Sequence, residues 1–325
     1  MLVSSDIIVS ISCITYNHAR YIRQCLDGFL KQKTNFRFEI LIHDDCSTDG
    51  TTEIIKEYEQ KYPGIVRPLY EEKNQYSLGK PIGTQVWNLP RAKGKYIAMC
   101  EGDDYWIDPY KLQKQVDFLE SHPDYGMCYT NFDILYYNGN IVKSVFNSKR
   151  KNYQSVFKTP EEFIMRAGYV CPPSWLIRRE IVPTNVLGSL DGSFVFFTHF
   201  LATSKVSYLN FTSCVYRVLL ESASHTRNPE KKLKRERNLL ETQKKLVRQY
   251  SLDQNIIPFC EETYYRRNLV DFIITDCKSE IKAARNMLKK KQVKEKILFF
   301  INDLGLRNIL KVLKKIKYML HKIHL

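Results

Sequence analysis

The sequence predicts an α/β fold, in which a mostly parallel sheet is flanked by helices and followed by a C-terminal α-helical extension. Three observations support this. Apolar, β-branched runs alternate with amphipathic segments from the start of the chain, as in a doubly wound parallel sheet. Acidic residues follow two of the predicted strands, at the edge where such sheets bind ligands. Beyond residue 225 the sequence becomes long, charged and helical.

The first two strand–helix units lie near the N-terminus. Residues 7–16, IIVSISCITY, predict a buried strand, and Asn17 is a candidate N-cap for the amphipathic helix that follows. Residues 38–45, FEILIHDD, predict a second strand. Its helix should end at the Pro63-Gly64 pair, because proline and glycine both interrupt helices.

Two further strands complete the parallel part of the sheet. VRPLYEE predicts a short third strand, and KGKYIAMC at 93–100 predicts a fourth. After EGDDYWIDP comes an amphipathic helix, whose buried face should carry Leu112, Gln115, Val116 and Leu119.

The pattern then changes from alternating strands and helices to antiparallel strands. Two alternating runs flank Asn138-Gly139, a pair that strongly favours a tight hairpin turn. TPEEFIMRAG predicts a short helix, and CPPSWLIRRE predicts a strand behind a turn stiffened by proline. We therefore expect the second half to extend the sheet.

Composition indicates a reduced, folded protein. Hydrophobic residues make up 44% of the 325, but no run approaches the roughly 18 apolar residues that a membrane span needs. The N-terminal apolar run has no basic leader, so we expect no signal peptide. The nine cysteines form no CxxC pair and mostly lie in apolar runs, which indicates buried thiols in the cytosol rather than disulfides or zinc.

The two acidic groups predict a divalent-cation site. HDD at 43–45 and EGDD at 101–104 both follow strands, so they should face one crevice. Two carboxylates about 4 Å apart repel by roughly 4 kcal/mol at an effective dielectric near 20, unless a cation lies between them. Mg²⁺ and Mn²⁺ prefer such oxygen ligands, commonly together with substrate phosphates. The alternative is a pair of solvated acidic turns.

Other phosphate-binding devices are missing from the sequence. There is no GxxxxGK[ST] motif, and no GxGxxG follows the first strand. Recognition of a phosphate would then depend on a metal ion, helix ends or scattered basic residues.

Several linked segments carry a resemblance to a known family. ISCITYNHARYIRQCLDGFLKQ, ILIHDDCSTDGT, AKGKYIAMCEGDDYWIDPYKLQKQVDFLESHPDYG and YRVLLESAS together resemble a family 2 glycosyltransferase with the A-type, Rossmann-like fold. The resemblance implies a catalytic domain over 1–225, with a nucleotide-sugar half at about 1–125 and an acceptor half at about 126–225. Residues 226–325 would form a basic helical C-terminal region.

The resemblance also implies roles for individual residues. Asp45 matches the aspartate that hydrogen-bonds the base, commonly uracil. Asp103 and Asp104 match the DxD-type metal motif, with Asp104 as the direct ligand. Asp191 matches the catalytic base, although a helix N-cap is the alternative for it. The residues implied to contact the nucleotide-sugar are Thr15, Tyr16, Asn17, Asp45 and Asp103.

The implied reaction is an inverting transfer of a sugar from a nucleotide-diphosphate donor, with UDP expected, to a hydroxyl of a surface-glycan or lipid-linked acceptor. Mg²⁺ or Mn²⁺ would assist as cofactor. Two alternatives stay open. One is a catalytically inactive nucleotide-sugar-binding or scaffold protein. The other is a nucleotidyltransferase, which would need a basic glycine-rich loop after the first strand that this sequence lacks.

Positive charge is concentrated in the C-terminal region. Residues 226–325 contain 25 Lys and Arg against 11 Asp and Glu, a balance of +14, whereas residues 1–225 are nearly neutral. From 306 to 323 one helical face carries apolar residues and the other carries lysines. The apolar residues are Leu306, Ile309, Leu310, Leu313, Ile316, Leu320 and Ile323, and the lysines are Lys311, Lys314, Lys315 and Lys322.

Such a helix can lie on an anionic membrane surface or dock on the protein's own core. We expect a cytoplasmic protein, peripheral at the inner face of the plasma membrane if the helix binds lipid. Aromatic residues are not interleaved with the basic ones as a base-stacking surface requires, so we expect no nucleic-acid partner.

Overall fold

The computed structural model describes residues 6–80, 83–147, 156–183, 191–220, 228–288 and 292–314. The chain divides into two compact units. The first comprises 1–160, 168–188 and 192–218, and the second comprises 161–167, 189–191 and 219–325. The predicted boundary between residues 225 and 226 falls outside the described residues.

The described strands form one sheet in the first unit. They are β1 (Ile7–Thr15), β2 (Arg37–Asp44), β3 (Val66–Tyr70), β4 (Tyr96–Met99), β5 (Tyr105–Trp106), β6 (Tyr125–Tyr136), β7 (Ile141–Val142), β8 (Trp175–Arg178) and β9 (Lys205–Val218). Their order is β3-β2-β1-β4-β8-β6-β9-β5, with β7 paired to β6.

The strand directions follow the sequence pattern. Strands β3, β2, β1 and β4 are parallel neighbours. Strand β8 then runs antiparallel to both β4 and β6, while β9 is parallel to β6. The hairpin between β6 and β7 turns at Asn138-Gly139, where Gly139 adopts a φ of 86° that a side chain would disfavour. The predicted α/β fold is confirmed.

The helices lie between and after the strands. They are α1 (Ile22–Leu30), α2 (Thr51–Lys61), α3 (Thr84–Trp87), α4 (Lys111–Ser121), α5 (Pro160–Arg166), α6 (Gly192–Thr203), α7 (Pro229–Gln249), α8 (Ile256–Ile274), α9 (Lys278–Met287) and α10 (Val293–Asp303). Residues 307–314 form a further helical segment, here called the terminal helix.

The apolar core of the first unit lies where the parallel strands meet α1 and α4. Ile11 and Phe29 are fully buried in it, and so are Leu112 and Leu119 of the predicted α4 face. The Trp106 ring packs edge-on against Phe29, with 4.7 Å between ring centroids, and its indole N–H donates to the carbonyl of Pro173. These contacts hold β5, which directly follows the acidic turn at 101–104, against α1.

One detail of the first helix differs from the sequence prediction. Helix α1 begins at Ile22, and Asn17 does not cap it. Asn17 instead adopts a φ of 54°, its main-chain N–H donates to Ser47 Oγ, and its side-chain oxygen accepts from the Thr48 N–H. Because Asn tolerates the left-handed region, it can connect the loops after β1 and β2.

The second unit is built mainly from α7 to α10 and the terminal helix. Ion pairs connect these helices, including Lys232 with Asp271 and Arg237 with Glu280. Among the described residues, no helix is both long and apolar enough to pass through a bilayer.

Candidate functional site

The candidate site lies at the carboxyl end of β1. The Asp45 N–H donates to the Thr15 carbonyl at 3.1 Å, and the Gly102 N–H donates to the Ile14 carbonyl at 3.0 Å. Both acidic groups therefore flank the end of one strand. This arrangement follows from the parallel order β2-β1-β4, since the carboxyl ends of parallel neighbours meet at one edge.

Asp103 and Asp104 occupy the turn between β4 and β5. Asp104 is 1% exposed, and its Oδ1 accepts the main-chain N–H of Arg217 at 2.7 Å. Asp103 is more accessible, with 18% of its side chain exposed. The turn therefore presents one carboxylate toward solvent and holds the second beneath it.

The electrostatics of this turn favour a bound cation. Burial, and then the charges of Asp103 and Glu101, raise the pKa of Asp104 well above its usual value. Burial and the Asp103 charge also raise the pKa of Glu101, to about 7. A divalent cation would offset this repulsion and favour the ionised forms.

The donor set suits Mg²⁺ or Mn²⁺ only together with a substrate. Within the part of the chain that the structure describes, no three His, Cys, Asp or Glu side chains are arranged to hold a metal ion by themselves. Mg²⁺ is commonly held by one or two carboxylates plus substrate phosphates, so a diphosphate would supply the missing ligands. Asp103 and Asp104 are the residues that could contribute the protein's share.

Gly102 brings the acidic turn close to β1. A Cβ atom at Gly102 would lie 2.5 Å from Thr15 Oγ1 and 3.0 Å from His18 Nδ1. The absence of a side chain there is what allows this approach. Thr15 and Asp103 therefore line the same site.

His18 connects Thr15 with Asp103, and sequence reasoning missed it. Its Nδ1 lies 3.1 Å from Thr15 Oγ1, and its Nε2 lies 4.0 Å from Asp103 Oδ2. The sequence places His18 directly after Tyr16 and Asn17, which were predicted to contact the ligand. This position next to two predicted ligand-contacting residues could have identified His18 as a candidate site residue.

Arg217 is the second missed residue. Its guanidinium donates to the Asp103 carbonyl and to Gln24 Oε1. The guanidinium carbon also lies 5.0 Å from the ring centroid of Tyr21 and 4.4 Å from that of Tyr105. The antiparallel pairing of β5 with β9, in which Tyr105 lies opposite Val215, brings Arg217 next to the turn.

The predicted base contact, Asp45, has a clear structural role. It is 1% exposed, and its carboxylate accepts the main-chain N–H groups of Gln75 at 2.6 Å and Tyr76 at 3.1 Å. These bonds hold the loop after β3 against the end of β2. Tyr16, by contrast, is 43% exposed and presents its ring at the surface.

Asp191 lies in the second unit, immediately before α6. Its Oδ2 accepts from the Arg235 guanidinium of α7 at 3.0 Å, and 27% of its side chain is exposed. A partly exposed carboxylate can accept a proton from a ligand, and the arginine fixes its orientation.

Comparisons with known proteins agree with this architecture. An uncharacterized Mycobacterium tuberculosis protein is 44% identical over 133 residues, which are 40% of this chain and 37% of that protein. Staphylococcus aureus TarS, a poly(ribitol-phosphate) beta-N-acetylglucosaminyltransferase, is 30% identical over 53% of this chain and 27% of its own length. This chain thus matches well under two thirds of either relative.

A solved structure of TarS residues 1–349 in complex with UDP-GlcNAc shares the fold, with a TM-score of 0.54. The match covers 86% of this chain and 90% of that one at 17% identity, so it concerns the fold alone. The family model described as Glycosyl transferase family 2 matches residues 10–184, more than half of the sequence. The chain belongs to glycosyl transferase family 2.

Proposed function

We propose that the protein transfers a sugar from a nucleotide-diphosphate donor, with UDP as the nucleotide, to a hydroxyl of a surface-glycan or lipid-linked acceptor. The observation that carries the proposal is the convergence of Thr15, Asp45 and the Asp103-Asp104 turn at the end of β1. The name of TarS as an N-acetylglucosaminyltransferase and its complex with UDP-GlcNAc support a UDP-sugar donor.

The nucleoside would bind at the sheet edge beside the joined loops after β1 and β2. Tyr16 offers an exposed ring, and Thr15 and Asn17 form the adjoining wall. The Asp45 carboxylate would hydrogen-bond the base while it keeps the main-chain N–H groups of Gln75 and Tyr76. A carboxylate has about four lone-pair sites, so it can accept these bonds together.

Asp103 and Asp104 would hold Mg²⁺ or Mn²⁺ against the diphosphate. The cation would neutralise negative charge on the leaving group. His18 and Arg217 would keep the turn in place, because they contact the side chain and the main chain of Asp103 respectively.

The chemical step would be a single displacement that inverts the anomeric configuration. The acceptor oxygen forms a bond to the anomeric carbon, while the bond from that carbon to the diphosphate oxygen breaks and its electron pair leaves with the diphosphate. Asp191 takes the acceptor proton as general base. Positioning of the two substrates should supply much of the acceleration.

The first experiment identifies the donor. A thermal-shift panel of nucleotide-sugars, each with and without Mn²⁺, should show a metal-dependent stabilisation that is largest for a UDP-sugar. Binding without transfer to any of a broad set of acceptors would instead favour an inactive binding or scaffold protein. Release of pyrophosphate from a nucleoside triphosphate and a sugar phosphate would favour a nucleotidyltransferase.

The second experiment tests whether Asp191 acts as the general base. Asp191→Asn should lower kcat by roughly 100-fold to 10,000-fold, the usual contribution of general acid–base catalysis, and leave donor affinity unchanged. Asp124→Asn is the matched control, because Asp124 is a surface carboxylate that pairs with Lys205. An Asp191→Asn enzyme with the parent's kcat would exclude Asp191 as the base.

A further inference from the structure

Helix α10 has two apolar faces, and only one of them is covered. Leu298 and Phe299 are buried, whereas Ile297, Phe300 and Leu304 are between 52% and 62% exposed. The exposed three are spaced by three and four residues, so they share one side of the helix. A surface helix of a globular protein usually carries a single apolar stripe toward its core.

The terminal helix repeats this arrangement. Leu310 is 7% exposed, and the ion pairs of Arg307 with Asp276 and of Lys314 with Asp271 attach this side to the rest of the second unit. Leu306, Ile309, Val312 and Leu313 are between 42% and 56% exposed. The rest of the predicted amphipathic helix lies outside the described residues. This part comprises the apolar residues Ile316, Leu320 and Ile323 and the lysines Lys315 and Lys322.

The charges around these exposed side chains are unbalanced. The acidic side chains of this segment are engaged, since Glu295 pairs with Arg266 and Asp303 pairs with Arg285. Lys294 and Lys296, on either side of the exposed face of α10, are exposed and have no ion-pair partner among the residues that the structure describes. Positive charge therefore borders the exposed apolar face of α10, and no acidic side chain of this segment is left to balance it.

We propose that the exposed faces of α10 and the terminal helix dock on an anionic lipid surface. The lipid-facing patch consists of Ile297, Phe300, Leu304, Leu306, Ile309, Val312 and Leu313, and Lys294 and Lys296 border its part on α10. Amphipathic helices of this kind bury apolar side chains at the boundary between headgroups and acyl chains. Lysines beside the patch then lie at the level of the anionic headgroups.

The positive charge beside the patch favours an anionic lipid surface as its partner over a second copy of the chain. Pairing two such patches would bring the lysines of both copies together, and like charges in contact disfavour association. An anionic bilayer satisfies the apolar faces and the lysines at the same time. The inference does not depend on the proposed transfer reaction, although it would bring the enzyme to a lipid-linked acceptor.

Vesicle flotation of the full chain tests the proposal without donor or acceptor, so its result is independent of the transferase activity. Vesicles with phosphatidylglycerol should retain the protein at low salt, and vesicles of phosphatidylcholine alone should not. Replacement of Lys294 and Lys296 by Gln should weaken partitioning by on the order of fivefold per lysine. Raising the salt concentration should weaken the parent in the same direction.

The apolar contribution is tested with Phe300→Glu and Val312→Glu, each at an exposed position. The double variant should lose at least tenfold in partitioning while its melting temperature stays unchanged. Ile141→Glu is the matched control, because Ile141 is 48% exposed but lies on β7 of the first unit.

Two results would overturn the proposal. One is partitioning that is equal on neutral and anionic vesicles, or unaffected by the double variant. The other is a dimer in solution, measured by light scattering, that Phe300→Glu and Val312→Glu convert to a monomer, since the occupant would then be a second copy.

Discussion

The main-chain N–H of Arg217 donates to Oδ1 of Asp104 at 2.7 Å, while the guanidinium of the same arginine donates to the carbonyl of Asp103. One residue near the end of β9 thus holds both members of the acidic turn. The main-chain bond fixes the buried carboxylate, and the side-chain bond fixes the turn that carries the more exposed one. We infer that the geometry of the proposed cation site depends on a residue that need not touch the cation.

Arg217→Lys should separate these two contacts, because it keeps the main-chain bond and the positive charge but removes the planar guanidinium. We predict a loss of roughly 10-fold to 100-fold in apparent Mn²⁺ affinity during donor binding, as is typical for residues that orient metal ligands. The KM for the acceptor should not change. Isothermal titration of donor at several Mn²⁺ concentrations measures the effect.

Arg23→Lys is the control for that variant, since Arg23 makes an exposed ion pair with Glu57 on neighbouring helices. It should behave as the parent does. An Arg217→Lys protein with unchanged Mn²⁺ dependence would show that the guanidinium does not position the turn.

Gly102→Ala should disturb the site by steric pressure alone. The added Cβ would lie 2.5 Å from Thr15 Oγ1, closer than any normal contact, so either β1 or the acidic turn must move. Overpacking of this kind typically costs about 1–3 kcal/mol of unfolding free energy, and we expect weaker donor binding as well. Denaturant unfolding and a donor titration measure the two effects.

Gly192→Ala provides the comparison, because a Cβ there would meet no atom within 4 Å. Its unfolding free energy should equal that of the parent or exceed it slightly. Equal stability and equal donor binding for Gly102→Ala would show that the close approach of Gly102 to Thr15 is unimportant.

Lys111 should make stability depend on pH in a recognisable window. It is fully buried, its ammonium donates to Gln115 Oε1 and to the Trp175 carbonyl, and burial lowers its pKa from 10.5 to about 8. Between these values the unfolded chain binds more protons than the folded one. The contribution of Lys111 to the unfolding free energy therefore rises with pH, by up to about 1.4 kcal/mol per pH unit.

The difference in unfolding free energy between the parent and Lys111→Met isolates this contribution. The comparison is needed because burial raises the pKa of the Cys100 and Cys128 thiols to about 12, which lowers stability as pH rises. We predict that the unfolding free energy of the parent rises relative to that of Lys111→Met between pH 8 and 10.5. Lys245→Met, at an exposed position on α7, should show no such trend, and a flat difference for Lys111→Met would refute the depressed pKa.

Local sequence patterns were sufficient for most of the regular elements. The strands β1 to β4, the helix α4 and the Asn138-Gly139 hairpin were all predicted, because hydrophobic periodicity and turn residues are properties of short segments. Strand β5 was missed, since two residues carry no periodicity. It forms through long-range pairing with β9, in which Tyr105 lies opposite Val215.

The candidate site was less predictable than the fold. The strand-end rule placed Asp45 and Asp104 at one edge, because that rule follows from parallel topology. Arg217 was not identified, since it is 113 residues from Asp104 and its role arises from long-range pairing. The contacts of Asp45 with the loop after β3 were likewise hidden, because loop closure leaves no periodic signal.

Calorimetric titration of a UDP-sugar into the parent, Asp103→Asn and Asp104→Asn, with and without Mn²⁺, tests the central claim most directly. We predict Mn²⁺-dependent binding by the parent and at least a tenfold loss of that dependence in each variant. Asp124→Asn should bind as the parent does. Donor binding whose Mn²⁺ dependence is the same in all four proteins would contradict a cation held between this turn and the diphosphate.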